Sequence, residues 1–455
     1  MAENCSSPMS ATLNSAVVSA NTVRSEEFAV NEKSTLTGHK VSPKELFDAV
    51  RRSRWYHTAP VILAEVIGAG VLGLPYATAR LGLVHGVLTS LLCAAVAFYA
   101  GMLLVRVKHD LDQSEANSYE DLACALGGEA FGRLTGVVVR VAWAMLLPYF
   151  LLACANAVAL IVPEPQLSSS TAVLITAVIL FVPLQLRTLH QISALCLPSS
   201  LAVITAIVII LATLFFEDRS QGPMASPESS GTIFDFFGNI GAFLFAYMGH
   251  SMYLEIMREM VDSREFGSKA LPVATFVMVV CYTGTAVAGV CAYGASVSEF
   301  LPNSMPEGLP KRLVGVLLAF HTLVSYLVAG QPLHRSLHGF VFPSTVGEYT
   351  PRAAFDWLLL TCMQLLVSVV AAICIPFFAD LQGLLGSLTG SAFVFGFPAF
   401  FFLRASSLAN VPVSWPDYVV CVLFLFVLTP LFMVVGTYSE IVDILEKWAI
   451  ELKRE

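Results

Sequence analysis

Eleven apolar runs of membrane-crossing length follow one another between residues 58 and 437, and no other feature limits the fold as strongly. A helix needs about 20 apolar residues to cross the hydrocarbon core. The runs lie at about 58–81, 84–106, 134–162, 171–187, 191–216, 233–260, 270–293, 312–333, 355–376, 382–403 and 415–437. They predict an all-α polytopic membrane protein. Only 13% of the residues are charged and the mean hydropathy is +0.74, whereas a soluble chain carries about twice that charge fraction. A net charge of −8 argues against nucleic acid as a partner. The lipid bilayer is the partner that composition requires.

Three regions follow. Residues 1–50, rich in Ser, Thr, Asn and Ala, read as a disordered cytosolic tail; they lack the charged and apolar segments of a secretory signal. Residues 55–440 form the transmembrane domain, and 441–455 a short C-terminal tail on the outer or lumenal side. Orientation comes from the loops: ten Lys and Arg, from Arg106 to Arg404, fall on the side of the N-terminus, against Arg80, Arg219, Lys311 and Arg312 on the other. Positive charge stays in the cytosol, so the N-terminus is cytosolic. The cytosolic loop "NSYEDLACALGGEAFG" (117–132), with Ser118 as cap, predicts a short amphipathic helix. The outer loop 217–231 is turn-rich, and spans four and five form a tight hairpin around Arg187–His190. Eight of the ten cysteines lie in apolar runs, where they behave as small hydrophobes, so neither a disulfide framework nor a metal centre is expected. His334 and His338 are spaced like a metal pair but have no Cys or acid near them in sequence.

The first run is interrupted. "VIGAGVLGLPYA" (66–77) places Gly68, Gly70, Gly73 and Pro75 in the middle of a span, where Gly and Pro are the poorest helix formers. Gly68 is about 15 Å past Thr58, half the depth of the core. Freed backbone groups there are tolerated only inside protein or along a wet cavity; packing alone would not require Pro75 as well. The sixth run is apolar up to Ala246 and then abruptly polar at Tyr247, Gly249, His250, Ser251 and Glu255. Broken spans one and six are what an inverted five-plus-five repeat produces, with one extra helix at the end. A half-helix starting near Gly70 offers the N–H groups of Val71, Leu72 and Gly73 to a carboxylate. The carbonyls of a half-helix ending near Ala246 suit an ammonium. A zwitterionic α-amino acid matches both ends.

"IGAGVLGLPYATARLGLVHG", "FLFAYMGHSMYLEIMREMVDSREFGSKAL" and "LVGVLLAFHTLVSYLVAGQPL" resemble, in order and spacing, the amino acid/auxin permease family. The likeness covers roughly residues 55–440. It implies the amino acid–polyamine–organocation fold, eleven spans and secondary active transport of amino acids in a eukaryote, with protons or sodium. It also implies a substrate path lined by Ile67, Gly68, Ala69, Gly70, Val71 and Leu72, by Phe245, Ala246, Tyr247 and Gly249, and by the eighth span. Glu65 and Ala69 depart from the family's usual residues there, and the lost hydroxyl at 69 weighs against sodium.

The candidates for ion coupling are Glu65 and His250, which titrate, and Thr322 and Ser325, which share one face of the eighth span and offer oxygen ligands. His321 beside them is a possible proton relay. Arg140 is expected to pair with an acid such as Glu255, and Tyr149 and Asn156 to face the substrate. The expected activity is proton-coupled amino acid symport with no cofactor, from the plasma membrane or a vacuolar or other internal membrane. The alternatives are a non-transporting amino acid sensor, a sodium-coupled carrier, and an auxin or amine transporter. A membrane enzyme is not expected, because the spans offer no nucleophile–base pair or metal cluster.

Overall fold

The computed structural model describes residues 53–453, apart from 112, 114–115, 117, 163–166, 188, 217–232 and 349. The expected N-terminal tail and the turn-rich loop 217–231 lie outside the described residues. The helices are α1 (Trp55–Val66), α2 (Leu74–Leu81), α3 (Leu83–His109), α4 (Tyr119–Gly127), α5 (Glu129–Ala159), α6 (Ser169–Phe181) and α7 (Leu189–Phe216). They continue with α8 (Ile233–Ala246), α9 (His250–Glu259), α10 (Leu271–Tyr293), α11 (Leu309–Val341), α12 (Pro351–Cys374), α13 (Phe378–Ala409) and α14 (Trp415–Ile450).

Among the described residues, eight helices are long and apolar enough to cross a membrane: α3, α5, α7 and α10 to α14. The other three expected spans are the interrupted pairs α1/α2 and α8/α9 and the shorter apolar α6. The fold is an all-α polytopic membrane bundle broken at the first and sixth of the expected spans, the pattern that an inverted five-plus-five repeat with α14 added would have. Large apolar side chains line its outside, among them Leu88, Leu92, Val178, Val182, Phe276 and Val280. In water such a surface would aggregate; in a bilayer it is the solvated face.

Local chemistry explains the smaller elements. Ser118 Oγ accepts from Asp121 N–H at 3.1 Å and starts α4, while Gly128, at φ +82°, ends it in a conformation that favours glycine. The amphipathic pattern buries Tyr119, Leu122, Ala123 and Leu126, and the Tyr119 ring sits edge-on among Phe393, Phe397 and Phe401 of α13. Arg140 reaches Glu120 of this helix at 3.4 Å rather than the expected Glu255, because α4 packs along the N-terminal end of α5. The hairpin between α6 and α7 is a single turn, Pro183–Gln185, held from α11 by Gln331 Nε2 on the Leu186 carbonyl and Arg335 Nη2 on that of Arg187.

Part of the expected C-terminal tail is helical. Residues 441–451 continue α14 as helix. "EIVDILEKWAIE" is amphipathic: Glu440 and Ile444 are buried, while Ile441 and Leu445 are exposed. Glu440, Asp443 and Lys447 therefore share one face, toward the bundle, while Glu446 is exposed, and Trp448 Nε1 donates to the Cys374 carbonyl at 2.6 Å.

Candidate functional site

The first break lies between Val66, where α1 ends, and Leu74, where α2 begins. Ile67 and Gly68 are extended (ψ 96° and −150°), and Ala69–Gly73 form a turn of 3₁₀ helix. Pro75 falls in the first turn of α2, where its missing N–H breaks no helical bond. The first N–H of the new turn to find a helical partner is that of Val71, on the Gly68 carbonyl at 3.4 Å. The N–H groups of Ala69 and Gly70, just before it, have no helical partner among the described residues, which puts the open donors earlier than the glycine spacing implied. A 3₁₀ turn starts with three unbonded N–H groups, and this one starts as soon as the extended pair ends.

In the sixth span, α8 ends at Ala246. Tyr247 and Met248 close its last turn on the carbonyls of Phe243 and Phe245, and α9 restarts at His250. The two interruptions touch. A Cβ on Gly70 would lie 3.5 Å from Ala246 Cα, and one on Gly249 would collide with the Val66 side chain. Tyr282 of α10 donates to the Val66 carbonyl at 2.9 Å, which holds the end of α1 in place.

The chemistry at the break comes partly from α11, through a different residue from the two hydroxyls expected there. Thr322 Oγ1 donates to Leu318 at 2.7 Å and Ser325 Oγ to His321 at 3.0 Å, both carbonyls of their own helix. His321 points into the gap instead. Its Nδ1 lies 3.0 Å from Ser199 Oγ and 3.2 Å from the Ser199 carbonyl of α7; in the tautomer that donates from Nδ1 to these oxygens, Nε2 is a bare acceptor. That Nε2 is buried, has no partner, and lies 3.4 Å from where a Cβ on Gly68 would be.

Other expected residues take different places. Ile67, Ala69, Val71 and Leu72 are buried, the last three completely. The Phe245 ring covers Gly70, 3.3 Å from where a Cβ there would be, and meets the Tyr149 ring edge-on at 4.8 Å. Tyr149 stacks on Phe378, which packs against Phe300, so an aromatic layer closes the break on the side of α2. Tyr247 turns its hydroxyl toward Ser90 of α3 at 3.3 Å. His250 is wholly buried, with Nε2 on the Ala97 carbonyl at 2.8 Å. Glu65 is exposed, and its charge is felt by Cys196 of α7 and Glu255 of α9, which places it in the gap between those helices. His334 packs edge-on against Trp357, and His338 Nε2 lies 3.1 Å from Thr345 Oγ1. No cluster of three metal-ligating side chains occurs among the described residues.

One residue at the centre of the site escaped the sequence reading. Gln382 of α13, wholly buried, donates through Nε2 to the Gly70 carbonyl at 2.8 Å and to Ala242 at 3.2 Å. The available signal was a polar side chain in an apolar run, which is costly without a role.

Residues 51–442 match the family model described as "Transmembrane amino acid transporter protein". Among similar proteins of Arabidopsis thaliana, amino acid transporter AVT3B is 26% identical over 361 residues, covering 76% of this chain and 84% of its own. Lysine histidine transporter-like 8 is 25% identical over 431 residues, covering 85% and 80% respectively. A crystal structure of a manganese transporter of Eremococcus coleocola overlays with a TM-score of 0.46 at 13% identity, covering 89% of this chain and 88% of that one.

Proposed function

The chain belongs to the transmembrane amino acid transporter family, and from that premise we propose that it is a proton-coupled symporter of neutral α-amino acids. It alternates access around the two touching breaks. The observation that carries this reading is their juxtaposition. The N–H groups of Ala69 and Gly70, without a helical partner among the described residues, lie beside the carbonyl end of α8, with His321 Nε2 between α1 and α11. The N–H groups and the positive end of the turn hold the substrate carboxylate. The carbonyls of α8 around Ala246 and the His321 lone pair accept from the ammonium.

Alternation follows from what closes each side. The Phe245–Tyr149–Phe378–Phe300 layer blocks the route past α2, whereas Glu65, on the other side of the break, is exposed. The structure is thus read as the state open toward the N-terminal side. The bias of Lys and Arg in the loops makes that side cytosolic. Glu65 is the carboxylate that releases the driving proton there. Burying it when that side closes favours its neutral form, and wetting it favours ionisation.

The test is uptake of alanine by proteoliposomes with and without an inward proton gradient, and with sodium in place of protons. Faster uptake with the proton gradient is expected. Equal uptake in all conditions removes the coupling; acceleration by sodium alone replaces the ion. Binding without flux makes the chain an amino acid sensor.

A further inference from the structure

A second set of ionisable groups lies on the opposite side of the aromatic layer from Glu65. Lys447 of α14 donates to Asp380 Oδ1 of α13 at 2.6 Å and to Glu299, in the segment between α10 and α11. Glu299 in turn accepts from the Ala379 N–H at 3.1 Å. One turn before Lys447 lies Asp443, and two turns before it Glu440, which is 5% exposed. A Cβ on Gly383 would overlap the Glu440 carboxylate, so this acid is pressed against α13 one residue from Gln382. From α2, Arg80 feels the charges of Asp380 and Asp443, and Tyr76 gives its ring to Lys447 at 5.7 Å. From α5, Tyr149 stacks on Phe378. The described side chains of α8 bring no charge: Gly238 and Gly241 make room for Glu440 and Ser387.

The charges do not balance. Setting Asp443 aside, Glu299, Asp380 and Glu440 meet two cations among the described residues, Lys447 and Arg80, so full ionisation leaves one negative charge uncompensated. An unpaired charge at membrane depth costs several kcal/mol. Two orphaned atoms mark where the deficit falls. Asp380 Oδ2 is buried without a partner, and so is Ser439 Oγ, which is 1% exposed and converges with Glu440 on Gly238. Resting on the reading of the chain as a proton-driven transporter, we propose that Asp380 and Glu440 form a proton-binding site on the outer side, built between α13 and the added helix α14. They share the load as a coupled pair.

The link to the substrate is short. Asp380, Gln382 and Gly383 belong to one turn of α13. Gln382 clamps the Gly70 and Ala242 carbonyls on either side of the break, and Gly383 backs onto Glu440. When the proton leaves the pair, the restored charge draws Lys447 and repels the neighbouring carboxylates. That shifts the turn carrying Gln382 and, with it, the 3₁₀ turn of the first break. Helix α14 thus acts as the part that makes transport depend on protons.

The test uses full-length protein in liposomes loaded with a pH-sensitive dye. Asp380→Asn and Glu440→Gln should keep alanine–alanine exchange, which moves no net proton, and should lose the acidification that accompanies alanine entry. Accumulation driven by a gradient of one pH unit should fall about tenfold, to the uncoupled level. Asp380→Glu and Glu440→Asp should restore part of the acidification. Unchanged acidification in both neutral variants overturns the proposal. So does loss of exchange with an unchanged melting temperature, since that puts the pair in the substrate path. Should the neutral variants not fold, the wild type decides: alanine binding should perturb a carboxylic-acid C=O stretch in infrared difference spectra, and no such band overturns the site. Wild-type vesicles that carry no alanine under any gradient defeat the transporter reading itself, which separates the two failures.

Discussion

Gln382 joins two breaks with one amide: its Nε2 donates to Gly70 at 2.8 Å, in the turn that restarts the first span, and to Ala242 at 3.2 Å, just before the sixth span gives way. Backbone carbonyls beside an interruption are the groups a membrane interior leaves unsolvated. Replacing Gln382 with Leu strips both carbonyls of their donor, and each buried group left bare costs about 1–3 kcal/mol. A melting temperature several degrees below wild type is expected, together with weaker alanine exchange. An unchanged melting curve would show that the clamp contributes nothing to holding the breaks together.

Gly68 tests what the first break needs. Its φ of −135° is ordinary extended backbone, so the requirement is for space rather than for glycine's conformational range. A Cβ there would meet only His321 Nε2, at 3.4 Å, which is close but not prohibitive. Gly68→Ala should therefore fold and bind amino acid nearly as wild type, whereas Gly68→Leu should fold but fill the gap and lose binding. Thermal shift with added alanine reads both. Retained stabilisation by alanine in the Leu variant would mean that the glycine serves packing alone.

The broken spans were legible because helix-breaking residues and intramembrane polar groups are both costly, and each announces itself in an apolar run. The turn at which the N–H groups open was not legible. Three glycines in six residues permit a restart at any of them, and contacts with Ala246, His321 and Gln382 decide among them. Thr322 and Ser325 show the ordinary use of a helical hydroxyl. A hydroxyl in a helix satisfies itself on its own backbone four residues back, and both do so. His321, next to them, cannot, so its ring turns to α7 and the gap. The C-terminal segment read as a tail because its charges lowered its hydropathy; Glu440, Asp443 and Lys447, spaced by three and four residues, fall on one helix face toward the bundle.

The free lone pair of His321 gives a test of substrate orientation. A hydrogen bond to a charged donor contributes about 1.5–3 kcal/mol, or roughly ten- to hundredfold in affinity. His321→Phe, which keeps the ring shape, should raise the KM for alanine by that factor. Propionate, which has the carboxylate but no ammonium, should compete equally well against wild type and variant. Equal weakening of both ligands would place His321 beside the carboxylate end instead.

Glu65 gives the test of the proton's exit. It is exposed in this state and electrostatically in touch with Glu255 and Cys196, so it can change protonation as the N-terminal side opens and closes. Glu65→Gln has the size and hydrogen-bonding capacity of a protonated glutamate but can release nothing. In proteoliposomes the variant should keep alanine exchange and lose the increase of uptake with external acidity. Glu65→Asp should restore that increase in part. A Gln variant whose uptake still rises as the external pH falls would remove Glu65 from the proton route and leave the Asp380–Glu440 pair to be tested alone.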